Sequence, residues 1–251
     1  MEKYKVTHDP ADADSLFLRR QVAACTRLLV DLGIMNYSGH VSARTAAGDR
    51  FIIQSIDEPR SSLNPEGLLE CDLNGTSVAP ESLGRPPAEV YLHSEIYRAR
   101  PDVHSIAHFH YDLCTAYTFV SERPLLLVKN HAIRWADGVP VHDDPSHVAT
   151  PELGQRLAQT LGRHHAAQIR SHGQVITAEG VESVLHDAVH FVENAQALHS
   201  AYAIGQVIPL SLDDIKSFQS QFQRGRHVKK LWRYYVDKGE TSGIIPREWR
   251  V

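Results

Sequence analysis

Ser105-Ile106-Ala107-His108-Phe109-His110 sets two imidazoles one residue apart in an otherwise apolar run. Successive side chains of a strand point to opposite faces, so His108 and His110 share one. Two imidazoles on one rigid face are half of a metal site. His172 is a candidate third. It follows the short run Ala166-Ala167-Gln168-Ile169 and precedes Gly173, a strand-to-turn position. Three imidazoles that leave a coordination position open describe a catalytic metal better than a structural one. Spacing alone does not decide this, because the chain carries 16 histidines and accidental pairs occur. His164-His165 reads as such a surface pair, and His186, His190 and His199 as solvated positions on a long helix.

Composition bounds what this site can serve. With 251 residues, 42% hydrophobic and 22% charged, the chain suits a globular α/β protein with a real core. A net charge of −4 gives no polyanion-binding signal, so no nucleic-acid partner is expected. No apolar run approaches the length of a membrane span, and Met1-Glu2-Lys3-Tyr4-Lys5 lacks an apolar leader core. Cys25, Cys71 and Cys114 are distant and odd in number, which points to a reduced, cytoplasmic protein without disulfides.

The elements that must hold the histidines follow from periodicity. Residues 12–32 read as an amphipathic helix with Leu16, Val22, Leu28, Leu29 and Leu32 on its apolar stripe, stopped by Gly33. In Gly39-His40-Val41-Ser42-Ala43-Arg44, polar His40, Ser42 and Arg44 alternate with small apolar residues, as in a strand with one polar face; a solvated edge strand has the same pattern. Phe51-Ile52-Ile53 returns as a strand, 54–65 is a loop carrying Arg60, and Leu68 to Leu73 is a strand closed by Asn74-Gly75. Arg85-Pro86-Pro87-Ala88-Glu89 opens a helix running to Arg100, with Glu89, His93 and Tyr97 on one face. Leu125 to Val128 reads as a strand and 134–140 as a loop carrying Arg134. Residues 151–161 and 181–204 are helices, and 213–236 is a final helix carrying Trp232, Tyr234 and Tyr235. No repeat or linker divides the chain, so 1–251 is read as one domain, with 213–251 a C-terminal helix and tail.

The ordered set Gly39-His40-Val41-Ser42-Ala43-Arg44, Pro87-Ala88-Glu89, Tyr91-Leu92-His93, Ile96-Tyr97-Arg98-Ala99-Arg100-Pro101-Asp102-Val103, His108-Phe109-His110 and His172-Gly173 resembles the class II aldolase/adducin family. That resemblance implies a three-layer α/β/α fold around a mostly antiparallel sheet, and a homotetramer with active sites between subunits. It also implies a divalent metal (zinc, manganese, cobalt or iron(II)) on His108, His110 and His172. Glu89 matches the family's glutamate, which serves as ligand, acid/base, or both.

Two departures bear on the substrate. Sugar-phosphate aldolases of this family hold phosphate with a serine pair before the glutamate and a Thr-Gly step in the loop after the first hairpin. Here those places read Pro87-Ala88 and Ile56-Asp57. Their side chains give a phosphate dianion no hydroxyl donor, and Asp57 repels it. Gly-His-Val-Ser-x-Arg, with the weaker Trp232-Arg233-Tyr234-Tyr235, looks instead like the family's decarboxylase branch, which acts on hydroxy-aromatic and related carboxylic acids. The expectation is a metal-dependent decarboxylase of a small carboxylate, with Glu89 the first proton donor and His40 the second. Arg44, Arg60 and Arg134 are candidates for gripping carboxylates, and Ser42, His93 and Tyr235 further substrate contacts. The alternatives are an aldolase or epimerase on a sugar or hydroxy-ketone, and a non-catalytic scaffold like the adducin head.

Overall fold

A computed structural model describes residues 10–251; the expectation about Met1 to Lys5 lies outside the described residues. Among the described residues, seven strands form one sheet in the order β3-β2-β1-β4-β7-β6-β5. They are β1 (His40–Arg44), β2 (Arg50–Gln54), β3 (Leu68–Asp72), β4 (Ser105–Phe109), β5 (Val141–His142), β6 (Ala166–Ile169) and β7 (Gly173–Ala178). Every neighbouring pair is antiparallel except β5 with β6.

Strand alternation divides the interior into two cores. Val41 and Ala43 of β1, Ala107 and Phe109 of β4 and Ile176 of β7 enter the first. It is covered by α1 (Pro10–Asp31), the short α3 (Asp112–Ala116), α5 (Val181–Ile204) and α7 (Arg224–Ser242), through residues such as Leu28, Cys114, Phe191 and Trp232. Ile106 of β4, Val175 of β7 and Phe51 of β2 face the other way, onto α2 (Val90–Ala99) and α4 (Pro151–Leu161). The result is the expected three-layer arrangement. α4 comes close to α2 because Gly154 has no side chain; a Cβ there would lie 2.5 Å from the Tyr91 carbonyl oxygen.

β1 lies between β2 and β4, and all five of its residues are buried. It is therefore no solvated edge, and its polar row faces α2 inside the protein. On α1 the expected stripe holds for Val22, Leu28 and Leu29, while Leu16 is at the margin with 36% exposure.

Other expectations are corrected. Residues 125–128 form no strand. Asn194 of α5 takes the place of a ladder partner: its Oδ1 accepts from the Val128 and Lys129 amides, and its Nδ2 donates to the Leu126 carbonyl. The loop around Arg134 is partly a 3-10 helix, Asn130–Trp135. The single helix expected over 213–236 is two. α6 (Leu212–Gln221) starts on a capping box of Ser211 and Asp214, and the chain turns extended at Phe222 before α7 begins. His164 and His165 are half-buried rather than on the surface. His186 is buried, with Nδ1 2.9 Å from Asp187 Oδ1. Cys25, Cys71 and Cys114 are all buried free thiols.

Among the described residues no helix is long and apolar enough to cross a membrane.

Candidate metal and active site

Glu89 ends the rigid Pro86-Pro87 segment as the N-cap of α2, one residue before the first turn expected of it. Its carboxylate makes no capping bond and turns into the protein. Oε1 accepts from the Val148 amide at 3.0 Å, which anchors the carboxylate from the loop before α4. Oε2 lies 3.3 Å from His108 Nε2, and Oε1 lies 3.4 Å from His172 Nε2.

His108 projects from β4 on the α2 side, and its Nδ1 lies 3.0 Å from the Gln174 carbonyl oxygen. A carbonyl only accepts, so Nδ1 carries the proton and Nε2 turns its lone pair into the site. His110 follows the last residue of β4, and its Nε2 comes within 3.0 Å of His108 Nε2. His172 sits in the tight turn between β6 and β7, beside Ser171 at φ 57°. Both its ring nitrogens are buried without a hydrogen-bond partner.

Among the described residues, Glu89, His108, His110 and His172 form one group whose ligand atoms all lie within 4.8 Å of one another. Tetrahedral zinc bonds of about 2.0–2.1 Å place neighbouring donors about 3.3 Å apart. The spacings of 3.0, 3.3 and 3.4 Å match that scale. The donor set, the lone pair fixed on His108 and the orphaned His172 nitrogens therefore fit a divalent ion. Burial alone would raise the Glu89 carboxyl; with no metal bound, the Val148 amide and any proton that His108 and His172 turn toward it outweigh burial and lower it. Burial, then the neighbouring His108 and His172, lower His110 to about 3. The His110 shift favours the unprotonated form that binds metal; burial would lower His172 as well, but the Glu89 carboxylate outweighs it and raises it, a proton that a bound metal would displace.

Gly173 makes this convergence possible. A Cβ there would lie 2.6 Å from the Phe109 carbonyl oxygen and 2.7 Å from His110 Cδ2. Gly173→Ala must push β7 from β4 or displace the His110 ring. We expect a loss of about 1–3 kcal/mol in stability from overpacking and at least about a tenfold loss in zinc affinity from the misplaced ligand. Thermal melts and metal titration would measure the two; native zinc affinity would show that the close fit is not needed.

Behind this cluster lies a second polar tier. His40 pairs in register with His108, their rings 5.4 Å apart. Along α2, Glu89, His93 and Tyr97 are separated by about 6 Å of rise each; along β1, His40, Ser42 and Arg44 are separated by about 6.7 Å. The two rows therefore mesh. His93 lies between His40 and Ser42, Tyr97 bonds Ser42, and the Arg44 guanidinium stacks 4.7 Å above the Tyr97 ring.

Of the arginines expected to grip substrate, Arg44 and Arg134 are engaged elsewhere, while Arg60 keeps Nη2 without a protein partner among the described residues. Arg44 donates to the carbonyls of Val103, Gly48, Tyr97 and Arg100, tying β1 to the end of α2. Arg60 donates to the carbonyls of Gly39, Ser55, Ile56 and Glu58, pinning the loop after β2. Arg134, with Arg224, pairs with Glu179 and Asp187 on the far side of the sheet. Burial alone would raise the Asp187 carboxyl; His186 and the two guanidiniums bring it down to about 2. Tyr235 packs against the first core, across the sheet from His108.

Sequence reasoning missed the anchoring Val148 amide, the Gln174 carbonyl and His147. The exposed His147 ring stands 5.3 Å from that of His172, with Nδ1 3.8 Å from Glu89 Oε1. Its one sequence signal is the turn composition of Asp143-Asp144-Pro145-Ser146 before the Thr150-Pro151 helix start. A cavity of about 370 Å³ opens at His110 and His172, bordered by Asn36, Tyr37, Ser38, Asp112, His147 and Ser171, with no lysine or arginine among the described residues that line it.

Residues 20–199 match the family model described as Class II Aldolase and Adducin N-terminal domain. The chain is 25% identical over 235 residues to a 3,4-dihydroxyphthalate decarboxylase of Rhodococcus jostii (strain RHA1), covering 88% of this chain and 95% of that one. It is 28% identical over 171 residues to a methylthioribulose-1-phosphate dehydratase of Methylococcus capsulatus (strain ATCC 33009 / NCIMB 11132 / Bath), covering 64% and 80%. An aldolase II superfamily protein from Pseudomonas syringae superposes with a TM-score of 0.82 at 23% identity, over 96% of this chain and 98% of that one.

Proposed function

Because this chain belongs to the class II aldolase and adducin family, we propose that it is a metal-dependent lyase that removes carbon dioxide from a hydroxy-aromatic or related cyclic carboxylic acid. The observation that carries this reading is that the two places where the family's sugar-phosphate aldolases hold phosphate carry no side-chain hydroxyl here. Pro87-Ala88 stands before Glu89, Ile56-Asp57 follows β2, the nearby Arg60 commits Nε and Nη1 to carbonyls, and Asp112 is the charged side chain at the mouth beside the histidines. The resemblance to the dihydroxyphthalate decarboxylase, which runs almost end to end, supports the same choice. A small carboxylate substrate, a cytoplasmic location and a homotetramer with inter-subunit sites belong to this reading.

His108, His110, His172 and Glu89 would hold the ion. Bound there, a divalent metal supplies a Lewis acid for the oxygen beside the bond that breaks. The chain's own groups do the rest. The Gln174 carbonyl keeps the His108 lone pair directed into the site, and the Val148 amide holds one oxygen of Glu89 so that the other faces the reaction. Glu89, ionised at the start, accepts the proton of the substrate hydroxyl. The carbon–carbon bond then breaks, its electron pair stays on the ring, carbon dioxide leaves, and Glu89 returns the proton to the ring carbon.

The dehydratase relatives give a phosphosugar lyase as the second reading. The test incubates metal-loaded protein with ortho-hydroxy aromatic dicarboxylates and, in parallel, with ketose phosphates at about millimolar concentration, the weak-binding limit. The expected result is carbon dioxide release from the former and neither reaction nor inhibition by the latter. Efficient turnover of a ketose phosphate would replace the decarboxylase with the second reading.

A further inference from the structure

The polar tier behind the metal ligands is a single chain of hydrogen bonds with two unlike ends. His40 Nδ1 lies 3.3 Å from His93 Nε2, His93 Nδ1 lies 2.7 Å from Ser42 Oγ, and Ser42 Oγ lies 2.7 Å from Tyr97 Oη. His40 is 4% exposed and Tyr97 1%; His93 and Ser42 are fully buried. The two rings meet nitrogen to nitrogen, both are buried, and neither forms an ion pair among the described residues; a buried imidazolium without a counter-charge is costly, so both are neutral. Each ring therefore carries one N–H, and each link in the chain holds one proton.

The closed end decides which way the protons point. Tyr97 Oη has no hydrogen-bond partner but Ser42 among the described residues. If Tyr97 donates to Ser42, then Ser42 donates to His93 Nδ1, and His93 donates from Nε2 to His40 Nδ1. Both hydroxyl protons and the His93 N–H are then used, and the one donor left over is the ring proton of His40. Any other arrangement strands a buried hydroxyl proton on Tyr97 or Ser42, and an unmade buried donor is the costly case. Only one position is left for the proton of His40: Nε2, on a ring that stands beside His108.

We propose that Tyr97, acting through Ser42 and His93, fixes His40 as the Nε2–H tautomer, so that His40 is a permanent hydrogen-bond donor to a substrate oxygen next to the metal ligands. Tyr97, Ser42 and His93 are positioning residues; His40 touches the substrate. This assigns His40 a role other than proton mover and leaves that task to Glu89. The substrate contact rests on the decarboxylase reading, whereas the tautomer does not.

The tautomer is read directly by nitrogen and carbon NMR of histidine-labelled, zinc-loaded protein, with the His40 signal identified by its loss in His40→Gln. Wild-type protein should show a protonated Nε2 and an unprotonated Nδ1. Tyr97→Phe keeps the ring that packs on Phe51 and Arg44 and removes the terminal donor. It should mix the second tautomer into His40 and lower kcat about ten- to a hundredfold, the scale of losing a group that orients a functional imidazole, with zinc content unchanged. A protonated Nδ1 in the wild type, or a Tyr97→Phe variant with the native His40 signal, would overturn the proposal. The NMR readout needs no substrate. Absent carbon dioxide release with the expected tautomer would therefore count against the decarboxylase and not against the hydrogen-bond chain.

Discussion

Glu89→Gln is expected to bind a substrate analogue as the native protein does and to release carbon dioxide about a hundred to ten thousand times more slowly, the usual worth of a positioned proton-transfer group. The amide keeps the outline of the carboxylate and can still accept from the Val148 amide, the contact that anchors the side chain. It can neither take the substrate's hydroxyl proton nor return one. Three imidazoles remain to hold the ion, so metal content should stay measurable. The measurement pairs titration of the analogue with carbon dioxide release on the same preparation. Unchanged turnover would remove Glu89 from proton transfer and pass the role to His40, against the fixed-donor assignment made above. Lost binding with normal turnover of what does bind would make Glu89 a positioning residue.

His110→Ala should lose both metal and activity while keeping the fold. His110 follows the last residue of β4 and is half-buried, so removing its ring takes little from either core. It does remove one of the three convergent Nε2 atoms. Groups that merely orient a metal ligand are worth about ten- to a hundredfold in affinity, so deleting a ligand should cost more than about a hundredfold. Elemental analysis after dialysis, set beside a thermal melt, gives both readings. Full metal content in a well-folded variant would show that His110 is not a ligand.

The clustering of the proposed metal ligands was legible because their placement depends on short-range rules. His108 and His110 share a face by strand alternation, and His172 lies where a glycine allows a tight turn. The arginines were not legible, since sequence shows a guanidinium but not where its donors go. Arg44 reaches carbonyls more than fifty residues away at Tyr97, Arg100 and Val103, and Arg60 takes those of its own loop and of Gly39. Backbone groups were hidden for the same reason. The Val148 amide that fixes Glu89 is 59 positions from it and has no side-chain signature. Leu125 to Val128 shows how an apolar run misleads: it reads as a strand, yet one asparagine side chain supplies the partners a neighbouring strand would have given. His186 was misread because its partner Asp187, like the arginines that balance it, can be identified only in three dimensions.

The meshing of α2 with β1 restricts how the chain can change length. One residue inserted between Glu89 and Tyr97 would turn everything beyond it by about 100° around the helix axis. His93 or Tyr97 would leave its partner on β1, and the hydrogen-bond chain would open. One residue inserted in β1 would send Ser42 or Arg44 to the opposite face of the sheet. The exposed stretch from Phe119 to Pro124 has no such register to keep, and extra residues in a surface loop cost little closure entropy. Variants of this chain that process different acids should therefore differ in length at such loops, while the spacing from Glu89 to Tyr97 and from His40 to Arg44 stays constant.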